Sequence, residues 1–394
     1  MKRDYRSKLI AIATLFFMTG IVGTRPLIPL LSNEIGASTF EIGVIIACFS
    51  VLPLFLAVKL GHWVDKVGQL LPLLISTVFG AVAMVLPFIF DNLSGVYISQ
   101  LIGGVSQTIF ALSAQSFVSY GVSGNRREKN ISIFSMGVAG GGFIGPFLSG
   151  YLADLLGFSI TIALFSSVIL IAFLIILRIY IQVQSKLKYK SIRIQNSRQT
   201  EDNLIYLLKN KNLRKAILIS MLILLAKDLY LYYFPLLANN IGFSATAIGV
   251  IIGLHNGAGI LIRWFLIKLI VKWGKSEVIV ASILLSGLFL GLLPLTDTLI
   301  ISAIISILLG AMLGIGQPLS ISSTVNYSPE YRTGQVLGLR LTFNRFTQFT
   351  SPIIFGGIAS LFNLASIFII VAIILGIGST QSFIRGNSRQ QDKN

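Results

Sequence analysis

The chain has 394 residues, of which 54% are hydrophobic and only 11% charged, with a mean hydropathy of +0.84. A soluble domain carries about 25% charged residues, so this composition excludes a soluble globular protein and indicates an integral membrane protein. The formal net charge of +17 falls in short clusters between apolar runs rather than on one continuous face, which argues against nucleic-acid binding.

Apolar runs occupy residues 9–31, 42–60, 70–90, 95–118, 131–152 and 159–180, then 214–238, 246–267, 277–295, 299–320, 334–360 and 365–384. Each is near the length of about 20 residues that crosses a bilayer, which predicts twelve spanning helices. The basic N-terminus followed by an apolar run has the outline of a signal peptide. Arg25 and Pro26 interrupt that run and no small-residue cleavage site follows, so it is expected to stay as the first span.

Lys and Arg alternate between the connecting segments. They occupy the N-terminus, Lys66, Arg126-Arg127 with Lys129, the 178–215 region, Lys268 to Lys275, Arg332 and the C-terminal tail. The intervening loops 32–41, 91–94, 153–158, 239–245, 296–298 and 361–364 contain neither residue. The positive-inside rule then places both termini in the cytoplasm of a multi-pass cytoplasmic-membrane protein.

Residues 181–213 form the one long polar stretch, basic and rich in Ser, Asn and Gln. They divide the chain into an N-terminal six-helix bundle (1–180), a cytoplasmic linker, and a C-terminal six-helix bundle with a short tail (214–394). The halves match each other. Residues 29–46 read PLLSNEIGASTFEIGVII and residues 235–252 read PLLANNIGFSATAIGVII, identical at twelve of eighteen positions at an offset of 206. The same offset pairs Lys66 and Gly68 with Lys272 and Gly274, Asp91 with Asp297, Arg126 with Arg332 and Pro146 with Pro352. Two homologous six-helix halves around one axis are the architecture of a transporter with a site near the bilayer midplane.

Between the second and third runs stands Gly61-His62-Trp63-Val64-Asp65-Lys66-Val67-Gly68, expected as a short polar turn whose carboxylate could latch neighbouring helix ends. In spacing and residue type it resembles the Gly-x-x-x-Asp-x-x-Gly loop between helices two and three of the major facilitator superfamily. In the second half Val271 replaces the Asp. The fifth run carries Gly140-Gly141-Gly142-Phe143-Ile144-Gly145-Pro146-Phe147-Leu148-Ser149-Gly150. Its four-residue spacing of small residues bares one helix face for close packing, and Pro146 favours a kink. The set around Gly141, Gly145, Pro146 and Gly150 is similar to the antiporter signature of the drug:proton exporters of that superfamily. The resemblance covers essentially the whole chain. It implies a proton-coupled exporter of small organic molecules or drugs, working by alternating access, with Gly61, Asp65, Lys66 and Gly68 as its conformational switch. One departure stands out: those exporters carry an arginine in the fourth span four residues before a glycine, where this chain has Gln100 before Gly104.

Charged side chains inside spans mark function by default, because lipid cannot solvate them. Asp228, beside Lys227 in the seventh run, is the one acid deep in a span. It is the candidate proton-coupling carboxylate; the alternative is a fixed ion pair with Lys227, Arg25 or Arg345. Other candidates to line a substrate cavity are Arg25, Gln107, Gln115, Lys227, Tyr230, His255, Asn256, Asn344, Arg345 and Gln348. Arg340, Asn344, Gln348 and Ser351 recur at helical spacing on one face of the eleventh run. A cavity with more Arg and Lys than carboxylate suits an anionic cargo, since Arg grips carboxylate or phosphate bidentately. A dedicated exporter of an anionic metabolite, for example a carboxylate metallophore, therefore stands beside the drug exporter as an open reading.

Other classes find little support. No phosphate-binding Gly-x-x-x-x-Gly-Lys-Ser/Thr loop is present, which argues against an ATP-driven pump. The lone Cys48 and the separated His62 and His255 offer no metal-ligand spacing. An enzyme is not expected; a channel or non-transporting receptor is the remaining alternative. The expected partners are a small-molecule substrate, protons and the lipid bilayer. No cofactor is expected beyond the proton gradient, and a monomer is the expected state.

Overall fold

The computed structural model describes residues 2–119, 124–184, 209–327 and 333–387, and every regular element among them is helical. In the first half α1 (Lys2–Gly23) breaks over residues 24–26 and resumes as α2 (Leu27–Glu34). Pro26 supplies no N–H to continue the ladder, and the Thr24 hydroxyl donates back to the Gly20 carbonyl at 2.9 Å. There follow α3 (Thr39–Val67), α4 (Leu70–Ile89), α5 (Leu93–Ser119), α6 (Gly124–Leu156) and α7 (Phe158–Gln184). The second half consists of α8 (Lys211–Asn240), α9 (Ala245–Leu261), α10 (Leu266–Trp273), α11 (Lys275–Leu292), α12 (Leu299–Asn326), α13 (Thr333–Leu361) and α14 (Leu364–Asn387). A 3₁₀ turn, Ile262–Phe265, joins α9 to α10.

Among the described residues, 10 helical segments are long and apolar enough to cross a membrane, taking α1 with α2 and α9 with α10 as single spans. Beyond those, α13 is 29 residues long and carries Arg340, Asn344, Arg345 and Gln348. The apolar stretch of α14 covers Leu364–Ser379. With these two the chain has the twelve spans that the apolar runs predict. Most of the expected linker, residues 185–208, lies outside the described residues, as do the side chains of Arg126, Arg127 and Arg332.

The duplicated segment builds the same corner twice. Gly36 (φ 96°) and Gly242 (φ 88°) turn the chain in the left-handed region between the first and second spans of each half. A side chain there would be strained. Ser38 and Ser244 then cap the helices that follow, their hydroxyls accepting from Glu41 N and Ala247 N.

The Gly61–Gly68 stretch differs from its expected form. Helix α3 continues through Val67, so Gly61, Asp65 and Lys66 stand in its last two turns, and the chain leaves the helix only at Gly68. The polar residues did not end the helix because none of them removes a backbone hydrogen bond. The helix ends at Gly68, whose N–H still donates to the Val64 carbonyl but whose positive φ turns the chain away. Likewise α6 runs unbroken through Pro146.

Inside the first half Phe17 of α1 stacks on Phe110 of α5 with ring centroids 3.8 Å apart. Inside the second, Tyr230 of α8 stacks on Phe234 and on His255 of α9. The halves meet along two seams, α3 with α13 and α6 with α9. At the end whose loops lack Lys and Arg, called here the neutral end, both seams close backbone to backbone. A Cβ placed on Gly43 would overlap the Pro352 carbonyl, and one on Gly249 would overlap the Pro146 carbonyl. Gly150 is pressed against Ala245 and Gly249, and Gly356 against Thr39 and Gly43. These contacts repeat each other at the offset of 206, so the seams are related by a pseudo-two-fold.

Toward the opposite, basic end the packing loosens. The buried residues of α3 run from Ile42 to Pro53, and beyond them only Val64 is buried. Helix α10 has no buried residue, and a Cβ on Gly61 or Gly338 would meet nothing within 4 Å.

Candidate functional site

The break between α1 and α2 places Arg25 inside the bundle. Its Nη2 donates to Gln107 Oε1 of α5 at 2.7 Å, and its guanidinium lies 4.6 Å from the centroid of the Phe49 ring of α3. Its Nε is buried without a hydrogen-bond partner. Gln107 in turn directs its amide toward Met18 Sδ at 3.8 Å.

Facing it from the second half, α8 presents Lys227 and Asp228. Among the described residues Asp228 is the one buried carboxylate, with 5% of its surface exposed. Its neighbour in sequence is not its direct partner. Gln348 of α13 donates from Nε2 to Asp228 Oδ2 at 2.9 Å, and accepts at Oε1 from Arg345 Nη1 at 3.0 Å. The two bonds together fix the orientation of the Gln348 amide, since only one assignment of its O and N satisfies both. Asp228 interacts electrostatically with Arg25, Lys227 and Arg345, so the groups from α1–α2, α8 and α13 form one cluster across the two halves. The polar face of α13 therefore turns toward α8. Asn344 accepts from Ser220 of α8 at 3.0 Å, Gln348 meets Asp228, and Ser351 is buried. Arg340 is buried nearer the basic end and donates to Ser320 of α12 at 3.1 Å.

Not all the sequence candidates join this cluster. Tyr230 and His255 are packed inside the second half, where His255 Nδ1 lies 3.0 Å from the Ser306 carbonyl oxygen. They are core groups of that bundle rather than cavity walls. Asn256, one position on, points the other way and donates to the Gly142 carbonyl of α6 at 2.8 Å, which ties the α6–α9 seam. Gln115 is exposed and stands apart. The glycines of α6 divide their work: Gly141 meets Leu15, Met18 and Thr19 of α1, and Gly145 meets Gly23 and Thr19. Ser149 donates to the Gly23 carbonyl at 2.7 Å, while Pro146 and Gly150 face α9 across the seam. Asp65 and Lys66 are exposed at the basic end.

Sequence reading missed Arg263. It sits in the 3₁₀ turn after α9, donates from Nε to the Gly314 carbonyl at 3.3 Å, and interacts electrostatically with Lys227. Its signal was available, because an arginine inside the apolar run 246–267 is as conspicuous as Arg345.

A sequence profile described as Major Facilitator Superfamily matches residues 10–279 and again residues 216–393. The chain belongs to that superfamily. The transporter is 24% identical over 380 residues to an uncharacterised MFS-type transporter of Methanocaldococcus jannaschii, covering 94% of this chain and 96% of the relative. It is 25% identical over 347 residues to the multidrug resistance protein MdtG of Dickeya zeae, covering 85% and 83% of the two chains. Among solved structures it superposes on the nucleoside transporter NupG with a TM-score of 0.74 at 13% identity, over 97% of this chain and 99% of that one. A bacterial homologue of the human lysosomal transporter Spinster superposes with a TM-score of 0.75 at 13% identity, over 99% and 98%. The protein is thus a multi-pass membrane transporter of the major facilitator fold, not an enzyme, and its substrate is a small molecule.

Proposed function

We propose that this transporter is a proton-driven exporter of the cytoplasmic membrane that works as a monomer by alternating access. The basic end faces the cytoplasm, following the distribution of Lys and Arg. The two seams closed at the neutral end and loose at the basic end then correspond to a state open to the cytoplasm, ready to load cargo for export.

The observation that carries the coupling is Asp228, the lone buried carboxylate among the described residues, placed where the two halves meet and held by Gln348. Ionised, it offsets part of the charge of Arg25, Lys227 and Arg345 and accepts from the Gln348 amide. Protonated, it gains an O–H donor, keeps its carbonyl oxygen to accept from Gln348, and loses its charge and with it its hold on the cations. Each state of the carboxylate therefore favours a different arrangement of α8 against α13, which is what a coupled carrier requires. The multidrug resistance relatives support export as the direction.

One specific observation favours an acidic cargo over a lipophilic cation. Arg25, Lys227 and Arg345 surround a single carboxylate, and Arg25 Nε has no partner. A carboxylate or phosphate group on the substrate would complete that balance.

The test is efflux from proteoliposomes under an imposed pH gradient, comparing a lipophilic cation with a polycarboxylate. Gradient-driven accumulation that a protonophore abolishes distinguishes a carrier from a channel or receptor. Asp228→Asn is expected to keep downhill exchange and lose gradient-driven accumulation; full gradient-driven transport by this variant would overturn the coupling role.

A further inference from the structure

The two closed seams are alike in packing and unlike in polar chemistry. In the first half the N-terminus of α3 is capped from within. Ser38 Oγ accepts from Glu41 N at 3.3 Å, and Glu41 Oε2 accepts from Ser38 N at 2.8 Å. This is a complete capping box. In the second half the serine is kept as Ser244, but the position of Glu41 is Ala247. The missing carboxylate arrives from the other half of the molecule. Asp154, in the last turn of α6, accepts from Ala245 N at Oδ1 and from Thr246 N at Oδ2, both at 2.8 Å. With Ser244 Oγ accepting from Ala247 N at 3.2 Å, each of the first three N–H groups of α9 has a side-chain acceptor. The position equivalent to Asp154 in the second half is Ser360, which makes no bond to α3; its hydroxyl donates to the Gly357 carbonyl of its own helix.

We propose that Asp154 is a latch across the neutral-end gate: it holds the α6–α9 seam closed by capping α9 in trans. The proposal rests on the alternating-access reading. Three features support a latch rather than simple helix capping. The carboxylate is bidentate and carries its charge to the positive end of α9. It lies one turn beyond Gly150, which is pressed on Ala245 and Gly249, so the polar and close-packed contacts close together. Among the described residues the seam between α3 and α13 has no side-chain hydrogen bond joining the halves, whereas the α6–α9 seam has those of Asp154 and that of Asn256. The gate is therefore tethered along one seam and merely packed along the other. Opening at the neutral end must break the Asp154 bonds and expose two N–H groups of α9.

The experiment uses the full chain with Cys48→Ser and spin labels at Asp91→Cys and Asp297→Cys, two exposed, repeat-related positions on the neutral-end loops. Distances are read by pulsed electron paramagnetic resonance in lipid at two pH values, beside thermal stability. Asp154→Ala is expected to raise the open-to-closed ratio several-fold, because a charge-assisted pair of bonds is lost from the closed state alone. The second variant is Asp154→Ala with Ala247→Glu, which restores to α9 the capping box that α3 has. It is expected to recover thermal stability and to leave the gate biased open. If the double variant also recovers the closed population, Asp154 is a helix cap and the latch is overturned. An unchanged ratio in Asp154→Ala, with both distances still populated in the parent, overturns the latch but keeps alternating access. A single distance shared by the parent and both variants under both conditions overturns the alternating-access reading on which the latch rests.

Discussion

By hydrogen bonds Arg345 reaches Asp228 through the amide of Gln348, and this indirect arrangement matters for what it can bind. A direct, bidentate Arg–carboxylate pair would consume both partners. Here the guanidinium spends one N–H on Gln348 and keeps the rest, as Arg25 keeps its Nε after bonding Gln107. Uncompensated cations within a span cost about 2.5–3.5 kcal/mol each on insertion scales, a cost that a transporter retains only for use. Arg345→Gln is expected to lower polycarboxylate efflux by roughly 10- to 150-fold, the range for a lost hydrogen bond to a charged group. Efflux of a neutral or cationic compound should be spared, and initial rates for the two cargoes in the same vesicles check it. The reverse pattern would assign the arginines to structural pairing. The sequence made Asp228, Arg25 and Arg345 conspicuous because charge within an apolar run is costly, but it could not pair them. The sequence leaves Lys227, Arg25 and Arg345 all open as partners of Asp228; adjacent helical residues point about 100° apart, and the hydrogen bond of the carboxylate goes to Gln348. Gln348, 120 positions away, was legible only as one member of a polar face.

At the scale of single helices, the small residues of α6 and α9 set how closely the two halves approach. Pro146 and Gly249, and equally Pro352 and Gly43, bring a carbonyl against a bare Cα, and no side chain fits between them. Gly249→Ala should destabilise the closed gate by about 1–3 kcal/mol, the usual cost of overpacking a tight contact. Gly376→Ala in α14 serves as its control, since a Cβ there meets nothing within 4 Å, and it should leave the gate unchanged. Thiol labelling of the Asp91→Cys loop with the Asp297→Cys loop, read as cross-linking yield, distinguishes the two. The spacing of these glycines was plain in the sequence as a packing face, yet spacing does not say which helix will use it. Gly141 and Gly145 face α1 while Gly150, one turn on, faces α9. Helix ends were similarly half-legible. The polar stretch 61–68 reads as a turn, whereas residues of that kind are tolerated in a helix until a positive φ ends it, which happens only at Gly68.

For the whole molecule, duplication explains both what was readable and what was not. The twelve apolar runs, the alternation of Lys and Arg and the offset of 206 define the fold, because each follows from bilayer thickness or from repetition. Function depends on where the halves differ, and a difference becomes meaningful only once a partner is placed opposite it. Val271 for Asp65 and Ala247 for Glu41 are such differences. The first leaves a carboxylate at the basic end of α3 alone; the second makes α9 borrow one from α6 at the neutral end. Asp154 is engaged and Asp65 is exposed in this state. Closing the basic end would bring the last turn of α3 toward the first turn of α13, which begins at Thr333, where a carboxylate is favoured by the helix dipole by about 0.3–1 kcal/mol. The two acids would then stabilise opposite states of one equilibrium. Asp65→Asn is expected to bias the transporter toward the state described here, lowering turnover while cargo affinity at the basic side is kept or improved. Adding Asp154→Ala should move the equilibrium back and recover part of the turnover, although each substitution alone slows the cycle. Paired measurements of exchange rate and cargo affinity for the two single variants and the double variant check this. Additive losses in rate would mean that the acids act separately and do not oppose each other across one rocking motion.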